Sequence, residues 1–237
     1  MPKSILMLVA NPTVSPVTGW PIGFWWAELS HAWLEFRHAG YDITIASPDG
    51  GDLEADGFSD PEHESGYSGG DIISQGFKTA AATRDLIKGT PALADVTLDD
   101  FDAIFIVGGQ SPMVSMIDDT RVQNAVATFY EAGKITGAVC HGTCVLLKTR
   151  LSDGALLISG KTWTGFADSE ERLAERAVGQ KIQPFWIEAE AQKIDNTNFI
   201  TGGPLAEFAV RDGNLITGQQ QLSAAAAARK VIEALGA

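Results

Sequence analysis

The chain has 237 residues, of which 45% are hydrophobic and 20% are charged, and its formal net charge is -13. A chain of this length can bury a sizeable core, so we expect one domain over residues 1–237. Its negative charge repels phosphate backbones and anionic lipids, which excludes nucleic acid and membrane surfaces as expected partners. The apolar run near the amino terminus is too short to span a membrane and lacks a cleavage site, so a cytoplasmic protein is expected.

Apolar runs alternate with segments of helical period through the first part of the chain. Strands are predicted at SILMLVA, DITIAS, FDAIFIVGG and KITGAVC, and the helices that follow them at 23–39, 76–88, 119–132 and 141–149. Because each strand is followed by a helix, the pattern indicates an α/β fold with a mostly parallel central sheet and helices on both faces.

The later part of the chain has a different pattern. Strands are predicted at ALLISGKTWTGF and FAVRDGNLITG, the second with an Asp-Gly turn signal, and helices near 168–178, 184–192 and 221–235. Between the first two strand–helix units, residues 48–72 form a glycine-rich acidic loop that is longer than most connections in compact domains. This loop is either a lid or an interface arm, or a solvated surface loop.

Both cysteines lie in the stretch TGAVCHGTCVLL. Cys140 stands where a predicted strand turns into a helix, with the small residues Ala138 and Gly142 on either side, which is the pattern of a nucleophile elbow. A helix dipole contributes at most ~2 kcal/mol, which would lower the thiol pKa from about 8.5 to about 7. The alternative is a buried structural cysteine, which is the role that we expect for Cys144.

Few residues could serve a Cys140 nucleophile as a base. No histidine follows position 141, which excludes a base histidine downstream in the chain and leaves His141 and carboxylates. Glu28 lies beside the apolar face of the predicted helix 23–39. It is either desolvated, with a raised pKa that would let it donate a proton to a thiolate, or a solvated glutamate at the edge of that face.

The spacing of His31, Glu35 and His38 could suit a metal ion, but a solvated polar face is the better explanation, and no metal site is predicted.

In FIVGGQSPM, a predicted strand ends in a tight turn at Gly109. This turn should open at the same sheet edge as Cys140. The Gly109 and His141 N–H groups could then form an oxyanion hole, although a simple structural turn is equally compatible with the residues.

The stretches TGWPIGFWWAELSHAWLEFRHAGYDITIASPDGG, FIVGGQSPM, GAVCHGTCVLL, KTWTGFADSEE, PFWIEAEAQ and VRDGNLITGQQQLS together resemble the DJ-one/PfpI superfamily, in its heat-shock-chaperone and glyoxalase III-like branch. The similarity spans nearly the whole chain, with the motifs in the family's order. It implies a flavodoxin-like, class I glutamine amidotransferase-like sandwich that forms a homodimer.

The resemblance also implies roles for individual residues. Cys140 matches the nucleophile, and Glu28 matches the glutamate that hydrogen-bonds the thiol and moves protons. His141 matches the histidine after the nucleophile. Glu171 aligns best with the carboxylate that orients this histidine, and Asp168 is the second choice.

The implied activity is glyoxalase III-like or deglycase-like chemistry on small carbonyl compounds, with no glutathione, metal or other cofactor. Related branches make an amidase, peptidase or isonitrile hydratase an alternative, and a chaperone or redox sensor without turnover another. The branch usually carries Gly-His-Gly where this chain has Gly109-Gln110-Ser111. Gln110 can hydrogen-bond a substrate oxygen but cannot titrate near neutral pH.

Overall fold

A computed structural model describes residues 2–236 of the chain. Its centre is a six-stranded sheet, which is parallel except for one antiparallel edge strand. The six strands have the spatial order β4-β1-β5-β6-β10-β9, with β1 Ser4–Leu8, β4 Asp42–Ala46, β5 Ala103–Ile106, β6 Ile135–Val139, β9 Ala209–Asp212 and β10 Leu215–Gly218. The strands β1, β5 and β6 are almost entirely buried because helices cover the sheet.

Residues 2–236 also form two small two-stranded sheets and seven α-helices. The short strands are β2 Thr13–Val14, β3 Pro21–Ile22, β7 Thr162–Trp163 and β8 Asn198–Phe199. The helices are α1 Trp26–His38, α2 Ile72–Thr79, α3 Pro112–Ser115, α4 Thr120–Glu131, α5 Asp168–Val178, α6 Ile187–Ala191 and α7 Ala224–Ala234. The predicted flavodoxin-like α/β fold, with a mostly parallel sheet and flanking helices, is confirmed.

The helices pack against the sheet through one continuous apolar core. Helix α1 packs against α7, and α4 packs against β5 and β6. The phenyl ring of Phe36, on α1, stands edge-on to that of Phe105, on β5, with 5.5 Å between their centroids. This packing holds α1, the helix that carries Glu28, against the strand that leads into Gly108 and Gly109.

The predicted helix 76–88 is wrong in its position. Helix α2 begins at Ile72 and ends at Thr79, and residues Arg84–Ile87 form a separate 3-10 turn. The apolar residues of this turn do not continue the helix because the backbone after it bonds to the preceding loop. The Leu53 N–H donates to Ile87 O at 2.8 Å, and the Thr90 N–H donates to Gly51 O at 2.9 Å.

The predicted strand ALLISGKTWTGF is also largely wrong, because only Thr162 and Trp163 form a strand. A turn interrupts it: the Lys161 N–H donates to Ile158 O, and Gly160 has a φ of 72°. The Asp-Gly hairpin between β9 and β10 is present as predicted, with Asp212 paired to Leu215.

Candidate active site

Cys140 occupies the sharp turn between β6 and the 3-10 helix Cys140–Leu147. Its φ is 55°, a left-handed conformation that side chains other than glycine rarely adopt. Only 2% of its surface is exposed. A strained, buried cysteine at the carboxyl edge of a parallel sheet has the backbone geometry of a nucleophile elbow.

Glu28 lies in the first turn of α1 and is completely buried. The absence of a side chain at Gly108 creates room for it, because a Cβ there would lie 2.3 Å from Glu28 Oε2 and 2.9 Å from Cys140 Cβ. The backbone of Gly108 therefore lies directly beside both the Glu28 carboxyl group and the Cys140 side chain. This packing brings Glu28 and Cys140 together across the sheet edge.

Burial raises the pKa of Glu28 well above its ordinary value, while the nearby Cys140 thiol and Gly108 N–H lower it. Within residues 2–236, however, neither carboxyl oxygen has a partner in hydrogen-bond geometry. The thiol therefore approaches Glu28 closely without a well-aligned hydrogen bond. We take Glu28 to be protonated near neutral pH, because burial of an unpaired carboxylate costs several kcal/mol.

Burial raises the pKa of Cys140 well above its usual range, the charge and the close approach of Glu28 raise it further, and the His141 N–H lowers it. The prediction of a pKa near 7 from the helix dipole is therefore wrong for this arrangement, because desolvation outweighs the dipole. Glu28 and Cys140 cannot easily carry negative charge together, so loss of the proton from one group disfavours its loss from the other. With Glu28 neutral, its carboxyl hydrogen is available to a Cys140 thiolate.

His141 connects Cys140 to a second buried carboxyl group. Its Nδ1 lies 3.6 Å from Cys140 Sγ, and its Nε2 lies 2.9 Å from Glu171 Oε1. The imidazole also stacks on the Phe166 ring at a centroid distance of 4.2 Å. The ring is thus fixed on three sides, and its two nitrogens face the thiol and the carboxyl group.

Of the two carboxylates expected near His141, the structure places Glu171 there. Burial raises the pKa of Glu171, and the charge of His141 and the hydrogen bond with it lower it. The Asp168 carboxylate points elsewhere, since its Oδ1 accepts a hydrogen bond from the Ala189 N–H at 3.2 Å. Both residues lie in the first turn of α5, but they bond to different partners, Glu171 to His141 and Asp168 to Ala189.

The turn after β5 brings Gly109 and Gln110 to the same edge of the sheet. Within the described chain, the Gly109 N–H has no hydrogen-bond partner, as an unoccupied oxyanion donor would require. The Gln110 N–H donates to Asp56, while its side-chain Oε1 is buried and has no partner among residues 2–236. Gln110 therefore keeps its amide group free to interact with a bound molecule.

Sequence reasoning missed two buried acidic residues. Asp56 is completely buried in the 48–72 loop, and Glu170 is 2% exposed beside Glu171. Burial raises the pKa of Asp56 to about 7, although its bonds to the Gly23 and Gln110 N–H groups and the charge of His141 lower it. The charge pattern of the acidic 48–72 loop does not distinguish the buried Asp56 from the exposed acidic residues around it.

The 48–72 loop thus has a buried part and an exposed part. At its exposed end, the Tyr67 ring packs edge-on to Trp25, with centroids 6.0 Å apart, and its hydroxyl accepts a hydrogen bond from Gln221. Burial of its hydroxyl end raises the pKa of Tyr67, and the charges of Cys140 and Glu170 raise it further. Tyr67 therefore connects this loop to Trp25 and Gln221.

The other features singled out in the sequence lie elsewhere. His31 Nε2 pairs with Asp71 at 2.9 Å, and Glu35 pairs with Arg229 at 2.8 Å, so these side chains are engaged separately. Two surface clefts, of about 520 and 330 Å³, are lined by residues of α4 and α7 respectively and do not include Cys140. Within residues 2–236, no helix combines the length and apolar character needed to cross a bilayer.

Known proteins share both the sequence pattern and this fold. The sequence profile of the DJ-1/PfpI family matches residues 23–234. The chain is 29% identical to Glyoxalase 3 of Candida albicans, over 99% of this chain and 98% of that protein. It is 28% identical to the glutathione-independent glyoxalase HSP31 of Saccharomyces cerevisiae, with the same coverage of both chains.

Solved structures agree with the sequence comparison. The crystal structure of glyoxalase III from Candida albicans superimposes with a TM-score of 0.80 at 25% identity, covering 98% of this chain and 97% of that one. The rapid encystment protein of Francisella tularensis gives a TM-score of 0.87 at 22% identity, covering 99% of this chain and 100% of that one, which establishes the shared fold. The chain belongs to the DJ-1/PfpI family.

Proposed function

We propose that this protein is a cofactor-independent cysteine enzyme that converts 2-oxoaldehydes to 2-hydroxy acids. The observation that carries the proposal is the contact of one strained thiol with two different proton carriers. Glu28 packs against Cys140 across Gly108, and His141 Nδ1 lies 3.6 Å from Cys140 Sγ. The names of the glyoxalase relatives support this assignment.

The first step forms a carbon–sulfur bond. As the Cys140 sulfur adds to the aldehyde carbon, the thiol proton passes to His141 Nδ1, and the aldehyde oxygen takes up a proton to give a hemithioacetal. The Gly109 and His141 N–H groups are the proposed donors to the developing oxyanion. Neutral Glu28 can supply the proton, which leaves it as a carboxylate.

The second step moves a proton between adjacent carbons. Glu28 or His141 removes the hydrogen of the former aldehyde carbon, and the resulting enediol is reprotonated at the neighbouring carbon to give a thioester. Glu171 would hold His141 in the orientation that this transfer needs. Water then hydrolyses the thioester, which releases the 2-hydroxy acid and restores the thiol, so that the net reaction adds one water molecule.

The charges around Cys140 favour a neutral substrate. Four buried carboxyl groups surround the site, belonging to Glu28, Asp56, Glu170 and Glu171. The principal causes of the pKa shifts of Glu28, Asp56, Cys140 and Glu171 include no lysine or arginine. An anionic carbonyl compound such as glyoxylate should therefore bind less well beside these acidic groups than a neutral 2-oxoaldehyde. The amide of Gln110 can hydrogen-bond the second oxygen of a neutral 2-oxoaldehyde.

The test is the conversion of methylglyoxal to lactate without glutathione, with glyoxylate as the anionic comparison. Wild type should turn over methylglyoxal, and Cys140→Ala should not. Cys144→Ala, which removes the other buried thiol, should retain turnover. If folded wild type with a reduced Cys140 converts no 2-oxoaldehyde, the proposal is wrong, and amide, peptide and isonitrile substrates should then be assayed with the same variants.

The assembly and the compartment also remain proposals. By family resemblance we propose a homodimer in the cytoplasm. Sedimentation equilibrium should give twice the mass of the 25.2 kDa chain. A single-chain mass across micromolar concentrations would contradict the dimer.

A further inference from the structure

Asp56 is a completely buried aspartate that none of the proposed steps uses. Its two oxygens accept hydrogen bonds from backbone groups in different segments. Oδ1 accepts from the Gly23 N–H at 2.9 Å, and Oδ2 accepts from the Gln110 N–H at 2.7 Å. The Asp56 backbone is also fixed, because its N–H donates to Phe24 O at 2.8 Å. The residue therefore joins three segments at one point.

The two segments that Asp56 joins carry the chemistry of the site. Gly23 precedes α1, the helix that presents Glu28, and Gln110 directly follows Gly109, whose N–H has no partner among residues 2–236. Gly109 itself is pressed against the first segment, because a Cβ there would lie 2.6 Å from both Gly23 O and Phe24 Cα. A side chain that holds both Gly23 and Gln110 thus also sets the position of the Gly109 N–H.

An aspartate side chain fits both donors, and an asparagine side chain does not. A carboxylate accepts hydrogen bonds on both oxygens, whereas an asparagine accepts on one and presents an NH₂ group to the other N–H. Charge-assisted bonds of this kind are shorter and stronger than neutral ones. A buried charge is also costly, so replacement of this aspartate by a neutral residue need not lower stability greatly.

We propose that Asp56 is a positioning residue, whose carboxylate holds the Gly109 N–H where it stabilises the oxyanion of a bound carbonyl compound. The proposal rests on the proposed function only in treating Cys140 as a nucleophile that attacks carbonyl carbon. Asp56 does not touch the reacting atoms. It acts through the backbone of Gln110 and Gly23.

The experiment compares two reactions of Cys140 that differ in one respect. Acylation by p-nitrophenyl acetate passes through a tetrahedral oxyanion, which the Gly109 N–H would stabilise. Alkylation by iodoacetamide displaces iodide and forms no oxyanion. Both rates depend on the reactivity of the Cys140 sulfur, but only the acylation rate depends on the oxyanion donor. The ratio of acylation to alkylation therefore measures the effect of the oxyanion donor alone. The variants are Asp56→Asn and, as a matched control, Asp52→Asn, since Asp52 lies in the same loop and accepts the Gly89 N–H at 2.8 Å.

We expect Asp56→Asn to slow acylation by about 100-fold, the scale of a misplaced or missing oxyanion donor, with alkylation changed by less than about threefold. Asp52→Asn should change neither rate. Methylglyoxal turnover should fall in kcat with little change in KM. If Asp56→Asn leaves acylation unchanged, or slows both reactions equally, the positioning role is wrong.

Two further measurements keep the result interpretable. If the Asp56→Asn variant unfolds, iodoacetamide will label Cys144 as well as Cys140. The comparison then uses Asp56→Glu, which keeps the charge but moves the oxygens by one methylene and should also slow acylation selectively. If wild type is acylated but converts no 2-oxoaldehyde, the proposed function fails while the role of Asp56 is still decided by the rate ratio.

Discussion

Cys140 and Cys144 are one helical turn apart and almost equally buried, at 2% and 0% exposure. Their surroundings differ completely. Cys140 has a left-handed backbone, touches a buried glutamate and lies 3.6 Å from a histidine nitrogen, whereas the Cys144 thiol donates to Pro112 O at 3.4 Å. Burial, followed by the charge of Asp118, raises the pKa of Cys144. Burial alone therefore does not decide the chemistry of a thiol, because neighbouring proton donors and acceptors must also be present.

The largest expected difference between the two cysteines is in turnover. Cys140→Ser should lower kcat/KM for methylglyoxal at least about 1,000-fold, because a hydroxyl is far less acidic than a thiol. Cys144→Ser should leave kcat/KM within about twofold, since no step involves its sulfur. Lactate formation measures both. Comparable losses at the two positions would mean that the contrast between these thiols is not functional.

The next largest effect is expected at Glu28, the buried glutamate that lies against Cys140 and not against Cys144. Glu28→Ala should lower kcat about 100- to 10,000-fold, the range for loss of a general acid–base group. Glu28→Gln should be equally slow, because an amide cannot carry the proton. However, its NH₂ can still donate to the thiolate, so pH-dependent alkylation of Cys140 should give a lower thiol pKa in Glu28→Gln than in Glu28→Ala. Equal thiol pKa values would contradict a donor role.

A smaller effect is expected at the carboxyl group behind His141. Glu171→Gln should lower kcat by about 10- to 100-fold, because the ring loses the charged acceptor that orients it. Asp168→Asn is the matched control, since Asp168 lies in the same helical turn but bonds to Ala189. Its kcat should stay within about twofold of wild type. A larger loss in Asp168→Asn than in Glu171→Gln would reverse the assignment.

The smallest effect is on stability and has opposite signs at the two cysteines. At position 140 the backbone is left-handed, so Cys140→Gly should be more stable than Cys140→Ala by about 1 kcal/mol. At position 144, within a helix, Cys144→Gly should be less stable than Cys144→Ala by about 1 kcal/mol. Urea unfolding of the four variants measures both differences. A Cys140→Gly variant that is less stable than Cys140→Ala would show that the left-handed backbone at the elbow stores no strain.

The fold and the sharp strand-to-helix turn at Cys140 were predictable because both have local signals. Alternating strands and helices predict the parallel sheet, and small residues around Cys140 predict the elbow. The failures lie where local signals compete with distant contacts. Residues 84–87 have the composition of a helix, yet the Ile87 carbonyl accepts the Leu53 N–H, so the chain turns instead.

The site shows the same division. The family pattern identified Glu28 and ranked Glu171 above Asp168, but it could not show how the protons are shared. Desolvation depends on every residue that packs around a group, and no local pattern contains that information. For this reason the dipole argument gave the wrong direction for the Cys140 pKa.

The main strand–helix alternation, the family and the position of the candidate nucleophile could be read from the sequence, because these depend on spacing along the chain. Which carboxyl groups surround Cys140 depends instead on how distant segments pack. Asp56 is separated from Gly23 and Gln110 by 33 and 54 residues, and both contacts form when the 48–72 loop folds against the sheet edge. A hydrogen bond needs its two heavy atoms to lie within about 3 Å of each other. For residues this far apart in the chain, that distance depends on tertiary packing and cannot be read from their spacing in the sequence.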